Sequence, residues 1–171
     1  MDEGEFDQFY AATAPRLVGQ LTAMLGSFSE AQDCVQEAFV RAWLHRRRLD
    51  LAERPDAWVR RVAWNIGVSR WRQSTSRLRA HRRRGPDPDV RPPTEDHAVL
   101  VAALSRIGAD QRRAIVLHHL CDLSVEQVAA EVGAPVGTVK ARLSRGRAAL
   151  AEVLGPLTAP ASEPYGETHH A

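Results

Sequence analysis

Hydrophobic side chains recur at three- and four-residue intervals along most of this chain, which is the spacing of one face of an α-helix. The first such stretch covers about residues 5–25. Pro15 has no amide proton and is expected to kink or restart this helix, and Gly26 with Ser27 is expected to end it. The apolar face of this first helix consists of Phe6, Phe9, Tyr10, Leu17, Val18, Leu21 and Leu25.

The same pattern predicts two further helices before the chain changes character. One covers about residues 29–47, with Ser29 as its N-cap, and the other begins at Pro55, where proline is tolerated. Gly67 is expected to loosen the chain before a short basic segment that runs to Trp71. The apolar positions are Val35, Ala38, Phe39, Ala42 and Trp43 in the first of these helices and Trp58, Val59, Val62, Ala63 and Ile66 in the second.

The periodicity stops at residues 82–95, which contain four prolines and one glycine. Such a segment cannot form a continuous helix, and proline favours an extended backbone, so we predict a flexible linker between two domains. The first domain is expected over residues 1–81 and the second over residues 96–154. Residues 155–171 are polar and proline-rich, which is typical of a disordered tail.

Four helices are predicted in the second domain, which makes the fold class all-α with two small helical domains. Asp110 and Ser124 are natural N-caps, and Ser124 with Gln127 matches a capping box. Gly133 is expected to end the third helix because glycine readily adopts the left-handed conformation. The four helices are expected at about residues 96–106, 110–120, 124–132 and 136–153.

Residues 123–150 give the strongest local signal, which is a helix, a tight turn and a second helix. No acidic residue occurs between Val132 and Ala151, and the second helix presents polar and basic side chains opposite its apolar face. This arrangement is typical of a helix-turn-helix, whose second helix enters the major groove and reads base edges. The alternative is an ordinary helical hairpin with a solvated basic face. The polar face contains Thr138, Lys140, Arg142, Ser144, Arg145 and Arg147.

Charge is distributed unevenly along the chain. Residues 1–40 contain seven acidic side chains and one arginine, whereas residues 41–84 contain fourteen arginines and three acidic side chains. This asymmetry indicates two kinds of partner, a protein and a polyanion, although a solvated arginine-rich face is the alternative. The chain has no apolar run of membrane-spanning length and no apolar leader, so we expect a cytoplasmic protein without membrane insertion.

The sequence offers no pattern of catalytic or metal-binding residues. Cys34 and Cys121 lie far apart within helical patterns and are interpreted as small buried hydrophobic residues. Adjacent histidines such as His118 and His119 do not have the spacing of metal ligands. Paired carboxylates, a nucleophile with its base and a phosphate-binding loop are not recognised. We therefore expect no catalytic activity, no cofactor and no metal.

Four segments resemble those of one protein family, the extracytoplasmic-function (ECF) sigma factors of the sigma-70 family. Residues 30–43 (EAQDCVQEAFVRAW) resemble the polymerase-binding helix of region 2, and residues 55–65 (PDAWVRRVAWN) resemble its promoter-melting segment. Residues 111–117 (QRRAIVL) and 134–147 (APVGTVKARLSRGR) resemble region 4. The resemblance covers about residues 5–153, and the segments follow one another in the same order as in the family. Within the family, the sequence most resembles the actinobacterial sigma-E-like group.

The resemblance implies a sigma factor that binds core RNA polymerase and directs promoter-specific transcription initiation by recognising −10 and −35 elements and stabilising melted −10 DNA. Its partners would be the β and β′ subunits of the polymerase, promoter DNA and an anti-sigma factor. The implied polymerase-binding residues are Asp33, Gln36, Glu37 and Arg41. The implied −10 residues are Arg60, Arg61, Trp64, Asn65, Arg70 and Arg72. The implied −35 residues are Thr138, Lys140, Ala141, Arg142, Ser144, Arg145 and Arg147.

Other interpretations of the same residues remain open at this point. The acids of the second helix also complement a helix dipole, and Trp58 is expected to belong to the core because it shares a face with Val62. A stand-alone transcriptional regulator would use the helix-turn-helix without polymerase. A helical adaptor or an inhibitor of another sigma factor would function without Lys140 and Arg145.

Overall fold

The computed structural model describes residues 1–49, 54–78 and 95–155, and all regular secondary structure there is helical, which confirms the all-α prediction. Only Gly155 of the predicted tail and Glu95 of the predicted linker lie within these residues. Glu95 begins a helix, and Gly155 follows the end of one at a φ of 65°. The α-helices are α1 (Glu3–Leu25), α2 (Phe28–Leu44), α3 (Arg46–Leu49), α4 (Pro55–Leu78), α5 (Glu95–Ser105), α6 (Ala109–Ile115), α7 (Val125–Val132) and α8 (Val136–Leu154).

Helix α1 is a single element that contains Pro15, so the helix does not restart there, which was one of the two outcomes expected. Pro15 itself is exposed, while Leu17 and Leu21 are fully buried beyond it and keep the helix on the core despite the missing hydrogen bond. Asp2 caps the N-terminus through a capping box with Glu5, in which both hydrogen bonds measure 2.8 Å. The C-terminus ends as predicted beside Gly26.

Two predicted N-caps are wrong by a few residues. Ser27, not Ser29, caps α2, because its hydroxyl accepts a hydrogen bond of 3.3 Å from the amide of Glu30, three residues on. Gly108, not Asp110, occupies the N-cap position of α6. Asp110 lies in the first turn of that helix, and its carboxylate accepts a hydrogen bond from Arg142 of α8. Ser124 and Gln127 do form the predicted capping box of α7, and Gly133 ends that helix at a φ of 67°.

Helix α4 continues without interruption through Gly67, although this glycine was expected to loosen the chain there. Gly67 is buried, and a Cβ at this position would lie 2.9 Å from Leu25 Cδ2 and 3.6 Å from Cys34 Sγ. The absence of a side chain therefore lets α4 approach α1 and α2 closely. This close approach, rather than backbone freedom, explains the glycine.

The N-terminal unit, residues 1–49 and 54–78, is built around the apolar faces of α1, α2 and α4. Its core contains Leu17, Leu21, Val35 and Val59, all at most 1% exposed. An aromatic group closes one end of the unit, with T-shaped contacts among the rings at centroid distances of 4.8–6.3 Å. Trp58 packs at the edge of this core but is only half-buried. The aromatic group consists of Phe6, Phe9, Tyr10, Phe39 and Trp43.

The C-terminal unit, residues 95–155, packs α5–α8 around a second apolar cluster. The predicted helix over residues 110–120 is α6 followed by a π-helical stretch, Val116–Leu120, which differs from the uniform α-helix expected. The change ends the helix with Leu123 donating to the carbonyl of Leu117 at 3.2 Å, so the chain turns directly into α7. The main buried residues are Leu104, Val116, Leu117, Val128, Val139 and Leu143.

The two units share a buried contact, which the sequence did not predict. Ala23 and Met24, in the last turns of α1, are 0% and 1% exposed and belong to the apolar cluster of the C-terminal unit. Trp64 of α4 packs against both clusters. No described helix is both long enough and apolar enough to cross a membrane.

The packing of α8 on α6 leads to a prediction about two glycines of the same helix. A Cβ at Gly146 would lie 2.7 Å from Ile115 Cδ1 and 3.2 Å from Gln111 Cβ, whereas a Cβ at Gly137 meets nothing within 4 Å. Gly146→Ala should lower the free energy of unfolding by about 1 kcal/mol or more, since overpacking outweighs the gain in helix propensity. Gly137→Ala should leave it unchanged or raise it by about 0.5 kcal/mol. Urea denaturation measures both, and equal effects would contradict the close helix contact.

Candidate nucleic-acid interface

Helix α8 presents a basic surface because its opposite side is held in the core. Val139 and Leu143 are almost fully buried, and the turn at Gly133 positions α8 against α7. The predicted −35 residues on the other side are solvent-exposed, except for Arg142, which is half-buried. The arrangement is a helix-turn-helix whose second helix is free along its outer face. The exposed predicted residues are Thr138, Lys140, Ala141, Ser144, Arg145 and Arg147.

Two arginines of this surface have internal hydrogen bonds. Arg142 donates to the carboxylate of Asp110 at 2.7 Å, which ties α8 to the first turn of α6. Arg145 donates through Nε to the carbonyl of Ala141 at 3.3 Å. The Arg145 bond is exposed and weak, so this side chain is the more available of the two for a base or a phosphate.

The predicted polymerase-binding residues lie along one side of α2. Asp33, Gln36 and Arg41 are exposed, and Glu37 is half-buried. Glu37 accepts hydrogen bonds from Arg41 and, at 2.8 Å, from Arg70 of α4. Partial burial would raise the pKa of Glu37, but the hydrogen bonds from Arg41 and Arg70 outweigh it and lower that pKa. Glu37 therefore stays ionised across the neutral range.

Arg70, predicted from the resemblance to meet −10 DNA, is instead engaged with the acidic residues of α2. Its guanidinium lies 2.8 Å from a carboxylate oxygen of Glu37 and 3.8 Å from one of Asp33. Desolvation lowers the pKa of Arg70, but the hydrogen bond that Arg70 donates to Glu37 and the nearby negative charges outweigh it and raise that pKa. The structure thus brings one predicted DNA residue next to two predicted polymerase residues.

Two exposed apolar side chains extend this side of α2, and the sequence analysis did not single them out. Val40 is 61% exposed and Leu44 is 71% exposed, one helical turn apart and one turn beyond Glu37. Neither fits the apolar stripe that faces the core. Apolar residues at i and i+4 outside a core stripe are a signal of contact with another molecule, and that spacing was visible in the sequence.

The predicted −10 residues of α4 divide into an exposed group and a covered group. Arg61, Asn65 and Arg72 are exposed. Arg60 is 1% exposed, and its Nε and one terminal nitrogen donate to the two carboxylate oxygens of Glu131 in α7, at 2.9 and 2.6 Å. Burial would lower the pKa of Arg60, but its hydrogen bonds and charge interaction with Glu131 raise it.

Trp64 is covered by the C-terminal unit as well. The guanidinium of Arg113, in α6, lies over its ring at 4.5 Å from the centroid, which is a cation–π contact. Burial lowers the pKa of Arg113 to about 10. An open cavity of about 340 Å³ lies beside Trp64 and is bordered by Trp71, Arg72 and Arg112.

The described residues contain no group of three or more His, Cys, Asp or Glu side chains arranged to hold a metal ion. Cys34 is buried and Cys121 half-buried, and burial raises the pKa of each thiol to about 11. Both sulfurs therefore remain protonated and unreactive at neutral pH.

Comparison with known families and relatives identifies both units. Residues 9–77 match Sigma-70 region 2, and residues 97–150 match Sigma-70, region 4. The chain is 31% identical over 159 residues to an RNA polymerase sigma-E factor of Streptomyces avermitilis, which covers 88% of this chain and 85% of the relative. It is 31% identical over 154 residues to the ECF RNA polymerase sigma factor SigW of Bacillus subtilis, covering 78% and 80%.

A solved structure resembles both units in one superposition. It is the sigma factor RpoE in complex with the anti-sigma factor NepR from Bartonella quintana, with a TM-score of 0.76 and 27% identity. The match covers 88% of this chain and 96% of that one.

The pairing of Arg70 with the α2 carboxylates gives a prediction for pH titration. Arg70→Gln should raise the pKa of Glu37, because it removes a hydrogen-bond donor and a positive charge. Because that pKa is lowered in the folded state, the stability contributed by Glu37 is complete above its usual range and is lost as the pH falls through the lowered value. Carboxyl-carbon NMR titration measures the shift.

The matched control is Arg61→Gln, on the exposed side of the same helix. It should leave the titration of Glu37 unchanged. If both variants shift the pKa of Glu37 equally, the effect is one of total charge and the specific pairing is wrong.

Proposed function

This chain belongs to the ECF sigma factors of the sigma-70 family, and we propose how its surfaces divide the work of promoter-specific transcription initiation through RNA polymerase. The observation that carries the proposal is that one chain contains, in family order, a region 2 match and a region 4 match. Each match contains a solvent-exposed polar helix surface set on a buried apolar core. The chain acts by positioning polymerase on DNA and catalyses no step itself. Its place of action is the cytoplasm, where core polymerase works.

Core polymerase is proposed to bind along α2. Asp33, Gln36 and Glu37 supply acidic and amide groups at one-turn spacing, and the exposed Val40 and Leu44 follow them on the same side. A mixed surface of this kind suits a stable protein contact, because apolar area gives affinity and charge gives orientation. By family resemblance, the acidic groups face the clamp helices of β′, and β takes part as the second partner subunit.

Promoter DNA near −10 is proposed to bind along α4. Arg61 and Arg72 are exposed cations suited to phosphates, and Asn65 lies on the exposed side between them, where its amide suits a base edge. Trp64 offers a flat ring for stacking once it is uncovered. Arg60 and Arg70 belong to the same proposed surface, although each is paired with a carboxylate in the free chain.

Promoter DNA near −35 is proposed to bind α8. Lys140 and Arg145 reach outward for base edges and phosphates, with Thr138, Arg142 and Arg147 on the backbone. Ala141 and Ser144 are small, so much of the discrimination comes from DNA shape and from close approach of the helix. The number of cations makes this contact strongly dependent on salt.

An anti-sigma factor is proposed as a further partner. A structural neighbour that superposes over 88% of this chain is a sigma factor in complex with the anti-sigma factor NepR. The exposed Val40 and Leu44 of α2 would serve such a partner as well as they serve polymerase, because both would bury the same apolar area. Binding of the two partners would then be mutually exclusive.

Reconstitution with purified core polymerase tests the proposal. Specific run-off transcripts that require this chain are expected from a promoter enriched with it in cells. The double variant Asp33→Asn, Glu37→Gln should need about tenfold or more protein to reach the same transcript level, because two charged contacts with polymerase are lost. Fluorescence titration of labelled chain with core polymerase measures the loss directly.

The matched control is Asp7→Asn, an exposed acid of α1 outside the proposed surface, which should bind core polymerase normally. A chain that binds promoter duplex but ignores core polymerase would overturn the proposal and favour a stand-alone regulator.

A second prediction concerns the −35 surface. Arg145→Ala should weaken binding of the holoenzyme to its promoter by about 1–3 kcal/mol if Arg145 binds a guanine with two hydrogen bonds, and should leave core binding unchanged. Competition between promoter and scrambled duplex measures the loss. Arg106→Ala, at an exposed position outside α8 and outside its proposed DNA surface, is the control. Equal losses on both DNA sequences would assign Arg145 to a phosphate instead.

A further inference from the structure

Asp110 places a negative charge on the unit proposed to bind −35 DNA, and it is hydrogen-bonded to the helix that carries the proposed contacts. It lies in the first turn of α6 and is 72% exposed, and its carboxylate accepts a hydrogen bond of 2.7 Å from Arg142 of α8. Resting on the function proposed above, we propose that Asp110 is a positioning residue for −35 DNA. It holds the guanidinium of Arg142 in the orientation from which its remaining donors reach a DNA phosphate.

Arg142 lies at the edge of α8, between the buried side of the helix and its exposed side. Leu143, on one side of this edge, is 2% exposed, whereas Ala141, on the other, is exposed to solvent. The Arg142 side chain is 24% exposed, so most of it packs against the unit while part of it stays in contact with water. Its contact with DNA therefore depends on the direction in which the guanidinium faces.

The hydrogen bond to Asp110 orients the guanidinium of Arg142 without using all of its donors. Only one terminal nitrogen donates to the carboxylate, and Arg142 has no second hydrogen-bond partner within the residues that the structure describes. A guanidinium carries five N–H donors in one rigid plane. A carboxylate that engages one of them leaves the others available to a second anion, such as a phosphate.

Helix α6 fixes α8 at two positions that lie one turn apart on the same side of α8. At the first position, Asp110 accepts the hydrogen bond from Arg142. At the second, Gly146 has no side chain, and a Cβ there would lie 2.7 Å from Ile115 Cδ1. The close packing at Gly146 sets the depth of α8 on α6. The Arg142 side chain is therefore oriented from a rigid base.

The exposure of this ion pair favours a role in DNA binding over a role in folding. Ion pairs between exposed side chains contribute little to stability, so the fold gains little from Asp110. A carboxylate on a DNA-binding unit also repels the polyanion at long range. Positioning of Arg142 and repulsion of DNA have opposite effects on affinity, so the sign of the change on removing Asp110 distinguishes them.

A double-mutant cycle tests the proposal with holoenzyme reconstituted from core polymerase and the full chain. The probe is a fluorescein-labelled duplex of a promoter enriched with the wild-type chain in cells. Asp110→Ala should weaken binding about threefold, although it removes a negative charge, because Arg142 loses the group that orients it. In an Arg142→Gln background, Asp110→Ala should leave the affinity unchanged or tighten it. Fluorescence anisotropy measures each affinity.

The salt dependence of binding is a second measurement, and a mere loss of stability would not change it. If Arg142 no longer reaches a phosphate, the slope of log affinity against log salt concentration should become shallower by up to about 1. This change is expected for Asp110→Ala and for Arg142→Gln. Asp110→Glu keeps a carboxylate at the same position and should retain most of the affinity and the wild-type slope.

Glu126→Ala is the matched control. Glu126 is the second residue of α7, as Asp110 is of α6, so the two changes remove the same charge from the same place in a helix. Glu126 is exposed and interacts electrostatically with Lys140 rather than with Arg142. This variant should bind the promoter unchanged or more tightly. Tightening by Asp110→Ala, or equal weakening in both backgrounds of the cycle, would overturn the positioning role.

Failure of the proposed function gives a different result from failure of this inference. A wild-type chain that forms no holoenzyme would contradict the sigma-factor function. The same cycle, measured with the chain alone on the same duplex, would then still decide the role of Asp110. Specific transcripts from the wild-type chain, together with tighter promoter binding by Asp110→Ala, would overturn the positioning role and leave the function standing.

Discussion

Helix α4 must satisfy two demands at once, and the arrangement of the molecule depends on how it does so. One side of the helix supplies Val59, Ala63 and Ile66 to the core of the N-terminal unit. The other sides carry arginines and tryptophans. Because the apolar side is fixed against α1 and α2, the positions of the arginines follow from it. The close approach at Gly67 fixes the depth at which the helix lies.

The arginines on this scaffold are placed in three different electrostatic states. Arg61 is exposed, Arg70 shares its charge with two carboxylates of α2, and Arg60 is buried against Glu131. The three arginines differ in how accessible they are to a polyanion. Arg61 is open to solvent, Arg70 would have to leave the carboxylates of Glu37 and Asp33, and Arg60 would have to leave the buried carboxylate of Glu131. The same residue type thus serves attraction, orientation and restraint within about three turns of one helix.

Local rules predicted most of the fold, because each depends on residues close in sequence. Periodic apolar positions predicted the helices. The capping box of Ser124 with Gln127 and the turn at Gly133 were predicted at the correct residues. The helix does not restart at Pro15, because burial of the two leucines that follow it outweighs one missing hydrogen bond. The i, i+4 pair Val40 and Leu44 is visible in the sequence, but it lies outside the core stripe on which the helix predictions rest. The interface between the units could not be predicted from local patterns, because Arg60 and Glu131 are 71 residues apart in sequence. Each of them is also a charged residue of the kind expected on the solvent-exposed side of its own helix.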